Sequence, residues 1–477
     1  MANHQVGPVS LTIPEVVTDD GITMYLIQVE VGGVAYQVHH RYSEFEAMHY
    51  KLVEEGVEKD LLPPKKLIGS KDPAFIMKRR RELETYLQTV YHFLEKNLPN
   101  ALAEFLEFPS YDIHYVLQDL AGQCHEGDLM SRQEDQTDDG NVGDKILMDT
   151  RWTPLQMFSI SERLKSPCPP LNTEDKRYDF TNVADACCRL EKLTVSGTDE
   201  KLGSSQLVPN QLKFDFLAFK TLTDLCLDNC VVSPNTISSL GIVRTTLVSL
   251  SASNCKLESI SHLLLCDTTH SPEDIPTLTI PGNSWSALLK LNISHNLLQH
   301  IDRSLRLAPN LVHLNLSLNS ISEISNLTGL PHLRNIDLSC NKIKDIDNLH
   351  TKIGQITTLN LSQNKIRTLH GLAKLYSVTN LDVSHNKLRT LADVSTVTNL
   401  PCIEKVTLSP NKVNNEVDYR LKVLEGYGGR CGEVVLDSLT TTQPEMDKVS
   451  VLMALSVARE GKHPTSLFGN LPGNNHL

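Results

Sequence analysis

From Leu222 onward, apolar residues recur in one frame, LxxLxLxxNxL. Six asparagines mark it, Asn296, Asn319, Asn341, Asn364, Asn386 and Asn411, at spacings of 23, 22, 23, 22 and 25 residues. One copy reads Leu311, Leu314, Leu316, Asn319, Ile321, and the next Leu333, Ile336, Leu338, Asn341, Ile343. Earlier, weaker copies carry cysteine at the asparagine position: Leu222, Leu225, Leu227, Cys230, then Leu247, Leu250, Ala252, Cys255, behind an entry strand at Leu190, Leu193 and Val195. The alternating part of each frame predicts a short strand, and the three-residue spacing after it (Ile321, Ile324, Leu327, Leu330) predicts a short helix or 3₁₀ coil. Asn296 follows Cys255 at a spacing of 41, one unit plus an insertion placed at 266–284.

The N-terminal part follows a different rhythm. Alternation predicts strands at Val9–Val17, Ile22–Val31 and Val34–Arg41, divided by Asp19-Asp20-Gly21 and Gly32-Gly33 turn signals. Ser43-Glu44-Phe45-Glu46 has the form of a capping box and opens a helix carrying Phe45, Met48, His49 and Leu52. Pro63-Pro64 forces an extended loop, and Asp72-Pro73 starts a long helix through Leu94 with an apolar stripe at Phe75, Ile76, Leu83, Tyr86, Leu87 and Val90. The fold class expected is a small α+β domain, three strands with helices, followed by an α/β repeat solenoid. Its divisions fall at 8–115 for the domain, 116–185 for an acidic linker and partly ordered connector, 186–436 for the solenoid with its cap, and 437–477 for a helical or irregular tail.

Composition narrows the function classes. The 477 residues carry 45 Lys+Arg against 57 Asp+Glu, a formal charge of −12, which disfavours a nucleic-acid partner. No apolar run reaches the roughly 18–20 residues of a transmembrane helix, and the N-terminus lacks the basic and apolar regions of a secretory signal, so a cytosolic protein is expected. The 11 cysteines are odd in number and form no CxxC pair, which predicts reduced thiols. Four sequons, at Asn292, Asn315, Asn326 and Asn360, arise from the strand text itself and are not taken as glycosylation sites. Gly426-Tyr427-Gly428-Gly429 reads as a helix stop, and no HExxH, GxSxG or Walker motif is present, so no enzyme activity, cofactor or metal site is expected.

The repeat frame is that of the leucine-rich repeat, whose asparagine satisfies backbone groups of neighbouring coils, and the length resembles the 22-residue intracellular type. Its leucines are structural, so partner binding must come from variable positions on the concave strands: His313, Asn315, Asp337, Asn360, Asp382 and His385, with Leu318 and Gln363 beside them. The plain alternative is a solvated polar face. Asn315, Asp337, Asn360 and Asp382 form an acidic and polar row suited to a basic or amide-rich partner. After Asn411, the segment from Asp418 to Val435–Leu436 is similar to a C-terminal cap.

In the N-terminal domain, Lys65, Lys66, Lys71, Lys78, Arg79, Arg80 and Arg81 cluster with only Asp72 opposing, a pattern that can read anionic lipid. Arg41-Tyr42-Ser43-Glu44-Phe45, then Leu62-Pro63-Pro64-Lys65 with Gly69, then Arg79 four residues before Leu83, resemble the PX (phox homology) domain over roughly residues 8–115. That resemblance implies that Arg41 holds a 3-phosphate, Tyr42 packs on the inositol ring, Lys65 meets the 1-phosphate and Arg79 grips the 4- and 5-hydroxyls of phosphatidylinositol 3-phosphate. Guanidinium forks bind phosphate bidentately, and lysine adds a point charge. Leu67 and Ile68 in the loop are candidates for bilayer insertion. The arginine that often precedes Arg41 in the family is His40 here, which weakens one contact and makes it pH-dependent.

A PX domain joined to such repeats resembles a family of integrin-binding scaffolds also described as imidazoline-receptor candidates, and that resemblance extends to Gly371–Val383, Asp418–Leu424 and the terminal SLFGNLPGNNHL. It implies a peripheral protein of early or recycling endosomes that engages integrin cytoplasmic tails, Rac and Rab GTPases and PAK-type kinases and restrains cell migration. Similar repeats also bind phosphatase catalytic subunits, which leaves a phosphatase regulator as the alternative.

Overall fold

The structure, a computed structural model, describes residues 9–19, 22–31, 34–65, 72–94, 98–126, 150–165, 176–265 and 284–459. The chain folds as two compact units, Met1–Val243 and Arg244–Leu477.

In the first unit, β1 (Val9–Asp19), β2 (Ile22–Val31) and β3 (Val34–Arg41) form an antiparallel meander in that order. The register of β1 on β2 shifts between Thr12 and Glu15, where Pro14 has no N–H to give to the ladder. The bulge is clamped from the long helix: Ile13 N–H donates to Glu84 Oε2 at 2.6 Å, and the Arg80 guanidinium donates to the Ile13 carbonyl. Helix α1 (Tyr42–Glu54) follows β3 directly, and α2 (Pro73–Leu94) crosses the sheet. Ile13, Tyr25, Ile27 and Val38 of the strands meet Phe45 and Leu52 of α1 and Leu83, Tyr86 and Val90 of α2 in one core. Removing each such side chain from water contributes about 1.5–3 kcal/mol.

Two expectations are corrected here. The helix α1 starts at Tyr42, so the capping pair is not Ser43 with Glu46. The strand runs to Arg41, and Glu44 three residues on accepts the Arg41 N–H at 3.0 Å. The stretch from residue 116 is also not a linker throughout. After α3 (Asn100–Phe105) and α4 (Phe108–Tyr111), α5 (Ile113–Glu126) buries Leu117, Leu120 and Ala121. Residues 127–149, with most of the expected acidic linker, lie outside the described residues. Beyond them β4 (Thr150–Trp152) pairs in parallel with β5 (Lys192–Ser196), with α6 (Pro154–Lys165) and α7 (Phe180–Arg189) between the two. The repeat sheet therefore begins before the entry strand read from Leu190, and β5 pairs onward with Asp224–Asp228. A three-residue strand is too short to announce itself by alternation.

The loop after β5 lies on the N-terminal domain. Tyr111 stacks on Tyr36 at 3.8 Å and donates its hydroxyl to the Leu202 carbonyl at 3.3 Å. Ser204 Oγ accepts the Gln37 N–H at 3.2 Å. Gly203 sits at φ +53, and a Cβ there would come within 2.2 Å of the Tyr111 hydroxyl.

The second unit stacks parallel strands in chain order. Ser249–Ser253, Lys290–Asn292, His313–Asn315, Asn335–Asp337, Thr358–Asn360, Asn380–Asp382, Lys405–Thr407 and Val435–Leu436 each pair with the next. The leucine positions point inward: Leu314, Leu338, Leu359 and Leu381 are all buried. Each ladder asparagine bonds as the repeat requires. Asn341 Oδ1 accepts the Ile321 N–H at 2.9 Å from the preceding coil, while Nδ2 donates to the carbonyls of Leu316 at 2.9 Å and Leu338 at 3.1 Å. The expected insertion falls mostly on residues 266–283, outside the described ones; Trp285 after it is buried and donates Nε1–H to the Leu264 carbonyl at 3.2 Å. The array closes with a helix, Tyr419–Tyr427, that stops at Gly428 with φ +60, then Val435–Leu436 and a helix Gln443–Arg459.

Candidate phosphoinositide site and repeat face

The helix α2 carries its site arginine on the core stripe. Arg79, Leu83, Tyr86, Leu87, Val90 and Leu94 are its buried residues, so a cation occupies a position that helical periodicity reserves for apolar side chains. Burial demands partners, and Arg79 has several. Its guanidinium lies 4.4 Å from the centre of the Tyr42 ring and 4.3 Å from that of Phe75, and Nη2–H donates to the Pro64 carbonyl at 3.2 Å. Tyr42 in turn donates its hydroxyl to the Pro63 carbonyl at 2.5 Å. Two consecutive loop carbonyls are thus pinned by the two side chains, and Lys65 is the next residue. Burial raises the Tyr42 hydroxyl above its usual range, with the Arg79 charge pulling the other way.

Arg41, one residue before Tyr42, is exposed, and its Nε lies 3.5 Å from Glu44 Oε1. Partial burial works against the Glu44 carboxylate, but the Arg41 N–H and the His40 imidazole outweigh it and lower its pKa. Lys65 Nζ meets Glu46 Oε2 at 2.7 Å; that hydrogen bond, with the Glu46 charge, raises the ammonium's pKa. Tyr42 and Arg79 are therefore in direct contact, Lys65 follows the two loop residues they pin, and Arg41 adjoins Tyr42 in the chain.

Other members of the basic cluster are placed differently from the sequence expectation. Asp72 is not the only opposing acid: Glu46 pairs with Lys65, and Glu82 lies 3.7 Å from Lys78. Arg80 serves the β1 bulge. His40 has its partners inside the domain. It stacks on Phe105 at 3.9 Å, with Nε2 2.7 Å from the Phe105 carbonyl and Nδ1 3.1 Å from Glu44, so it ties β3 to α3. Lys66, Leu67, Ile68, Gly69 and Lys71 fall outside the described residues.

On the repeats, the concave row has prior commitments. Asn315, Asp337, Asn360 and Asp382 each give Oδ1 to the N–H two residues on, at 2.9, 2.8, 3.0 and 2.9 Å. These are turns that open each coil after its strand. Asp337 Oδ2 also takes a hydrogen from Asn360 Nδ2 at 3.2 Å, and Asn335 Nδ2 donates to His313 Nδ1 at 2.7 Å. His385 is exposed with φ 54, in register with the left-handed residues Leu318, Cys340 and Gln363. The parallel register also brings Asn335, Thr358, Asn380 and Lys405 into the row of His313, positions the sequence reading left out although they lie two residues before the named row on the same face.

Comparison with known proteins agrees with both halves. The PX domain family matches residues 31–109, and leucine-rich-repeat families match 309–349 and 331–388. The chain carries a PX domain followed by leucine-rich repeats. Over 97 residues its PX region is 35% identical to the PX domain-containing protein kinase-like protein of Mus musculus, covering 20% of this chain and 16% of that one. Over 87 residues it is 38% identical to sorting nexin-24 of Homo sapiens, covering 18% of this chain and 49% of that protein, so the chain spans under half the length of either relative. Among solved structures, a designed CISK-PX domain is similar at 31% identity, covering 20% of this chain and 96% of that one, with a TM-score of 0.19. Together, a phosphoinositide-binding type of domain and a protein-binding type of repeat make a membrane-associated scaffold or adaptor. Among the described residues no helix is long and apolar enough to cross a membrane.

Proposed function

We propose that the PX domain docks this chain on membranes containing phosphatidylinositol 3-phosphate, with Arg41 on the 3-phosphate, Tyr42 under the inositol ring, Lys65 on the 1-phosphate and Arg79 on the 4- and 5-hydroxyls. The observation that carries this is the Arg79 guanidinium held between Tyr42 and Phe75 and tied to Pro64, next to Lys65. A buried guanidinium with fixed orientation discriminates hydroxyl positions, which a mobile surface charge does not. The protein then acts as a non-catalytic, nischarin-like scaffold at early or recycling endosomes. Its repeats present integrin tails, Rac or Rab GTPases and PAK-type kinases to one another and restrain migration. Support for this finer reading is the pairing of domains and the sequence resemblance.

The experiment is co-sedimentation of the full chain with vesicles containing phosphatidylinositol 3-phosphate or equal charge as phosphatidylserine. Preference for the phosphoinositide that is lost in Arg41→Ala supports the assignment; equal binding to both vesicle types refutes it.

A further inference from the structure

The concave row is half spent on its own backbone, whereas a set of cations in the second unit has no ion pair among the described residues. Directly after three successive ladder asparagines the chain reads Lys342-Ile343-Lys344, Lys365-Ile366-Arg367 and Lys387-Leu388-Arg389. In each, the central residue is buried and the cations flank it, exposed apart from the half-exposed Lys365. The coils are held in register at this point. Lys342 N–H donates to the Ile321 carbonyl, Lys365 N–H to that of Ile343 and Lys387 N–H to that of Ile366, each at 2.8 Å. Strand-like stacking at roughly 4.8 Å per coil therefore lines six cations into two parallel rows, and Lys412 on the next coil extends the first row.

None of these side chains forms an ion pair among the described residues, and two acids close to them in sequence are bonded to backbone. Asp345 accepts the Asp347 N–H at 2.7 Å, and Asp393 caps a helix by accepting the N–H groups of Arg389 and Thr390 at 2.9 and 2.8 Å. Three other cations of the same unit are matched, Lys352 with Glu323, Arg420 with Glu445 and Arg430 with Glu433. Like charges in direct register oppose one another, so on a chain of net charge −12 these rows are a local cost that an anionic partner would remove.

We infer that this rim is a docking strip for an acidic polypeptide segment of a partner protein. This deepens the scaffold reading by naming the surface and the chemistry of what the repeats hold; it is independent of the lipid site. Four coils span roughly 15 Å, the length of about five extended residues, so an Asp/Glu-rich stretch of that size covers both rows. A membrane fits less well, because no large exposed apolar side chain adjoins the three basic triplets in sequence: Leu297 and Leu318 lie on earlier coils, and Tyr376 and Val417 are remote from the triplets along the chain. A nucleic acid fits less well because no aromatic side chain is interleaved with them.

The test is fluorescence anisotropy of a labelled hexaglutamate peptide with the full chain, set beside the Lys365→Glu/Arg367→Glu/Lys387→Glu variant, its triple alanine counterpart and Lys352→Glu as a control off the rim. The expected result is binding that weakens steeply between about 0.05 M and about 0.5 M salt. The reversal variant should lose at least about tenfold in affinity and the alanine variant about half of that on a logarithmic scale, with the control unchanged and melting temperatures of the two rim variants near wild type. Equal affinity of wild type and alanine variant would overturn the proposal. So would rim-dependent binding to phosphatidylserine vesicles or to single-stranded DNA, in the Arg41→Ala background, with no binding of the peptide. Loss of phosphatidylinositol 3-phosphate binding alone moves none of these readouts, so failure of the lipid reading is seen separately.

Discussion

The guanidinium of Arg79 lies face-on to the ring of Tyr42, 4.4 Å from its centre, although the two residues are 37 positions apart in sequence. The contact joins the helix that covers the sheet to the first residue after the last strand, and it fixes the loop carbonyls between them. Arg79→Lys keeps the charge but loses the fork that reaches Pro64 and the planar stack on Tyr42 and Phe75. We expect it to cost about 1–2 kcal/mol in urea unfolding and to abolish preference among phosphoinositides while general attraction to anionic vesicles persists. An unchanged preference would show that the buried arginine is structural only.

The ion pair of Lys65 with Glu46 occupies, without ligand, the ammonium assigned to the 1-phosphate. Glu46→Gln removes the competing carboxylate, so affinity for phosphoinositide vesicles should rise, roughly twofold for an exposed pair. Vesicle titration that shows weaker binding would mean Glu46 positions Lys65 rather than competing for it.

Asn341→Ala and Asp337→Ala separate coil-building from surface polarity. The first strips the Ile321 N–H and the Leu316 and Leu338 carbonyls of buried partners and should cost about 2–3 kcal/mol. The second loses the turn bonds from the Ser339 N–H and hydroxyl and the contact from Asn360 Nδ2, all at the half-exposed strand end where water can replace them, and should cost about 1 kcal/mol. Hydrogen exchange of the Ile321 amide reads the difference directly, and equal protection in both variants would contradict the ladder assignment.

Acid sensitivity should be traceable to the end of the array. The hydrogen bond from Arg420, then the N–H of Thr442, hold the Glu445 carboxyl at about 2, against an ordinary 4.5. A depressed carboxyl stabilises the fold above its unfolded pKa and loses that contribution as pH falls through the folded value. The stability gap between wild type and Glu445→Gln should thus be full above about pH 4.5 and close toward pH 2. A gap that stays constant over this window in melting experiments would exclude the pairing.

Much of this was legible in the amino-acid sequence because it rests on periodicity. The Leu/Asn frame repeats once per coil, so Asn341 and its neighbours announce their hydrogen bonds, and the alternation in Ile22–Val31 and Val34–Arg41 gives those strands their observed bounds. Arg79 could be read as a buried cation from its place on the stripe with Leu83 and Val90. What periodicity cannot reveal is pairing across distance. Glu46 reaches Lys65 over 19 residues, and Arg80 turns from the basic cluster to a bulge carbonyl 67 residues away. Thr150–Trp152 is too short to alternate visibly, and His40 took its place by stacking on Phe105 rather than by charge. The concave carboxylates and amides looked free because their N–H partners belong to the backbone, which every sequence has.

Isothermal titration of the intact chain with soluble short-chain phosphatidylinositol 3-phosphate, alongside its 4-phosphate isomer and the Arg41→Ala variant, tests the central claim most directly. Because Arg41 is exposed and its side chain holds no core contact, the variant should melt like wild type while saturable, 3-phosphate-selective binding disappears. Binding that ignores the phosphate position, or that survives in Arg41→Ala, would contradict the account.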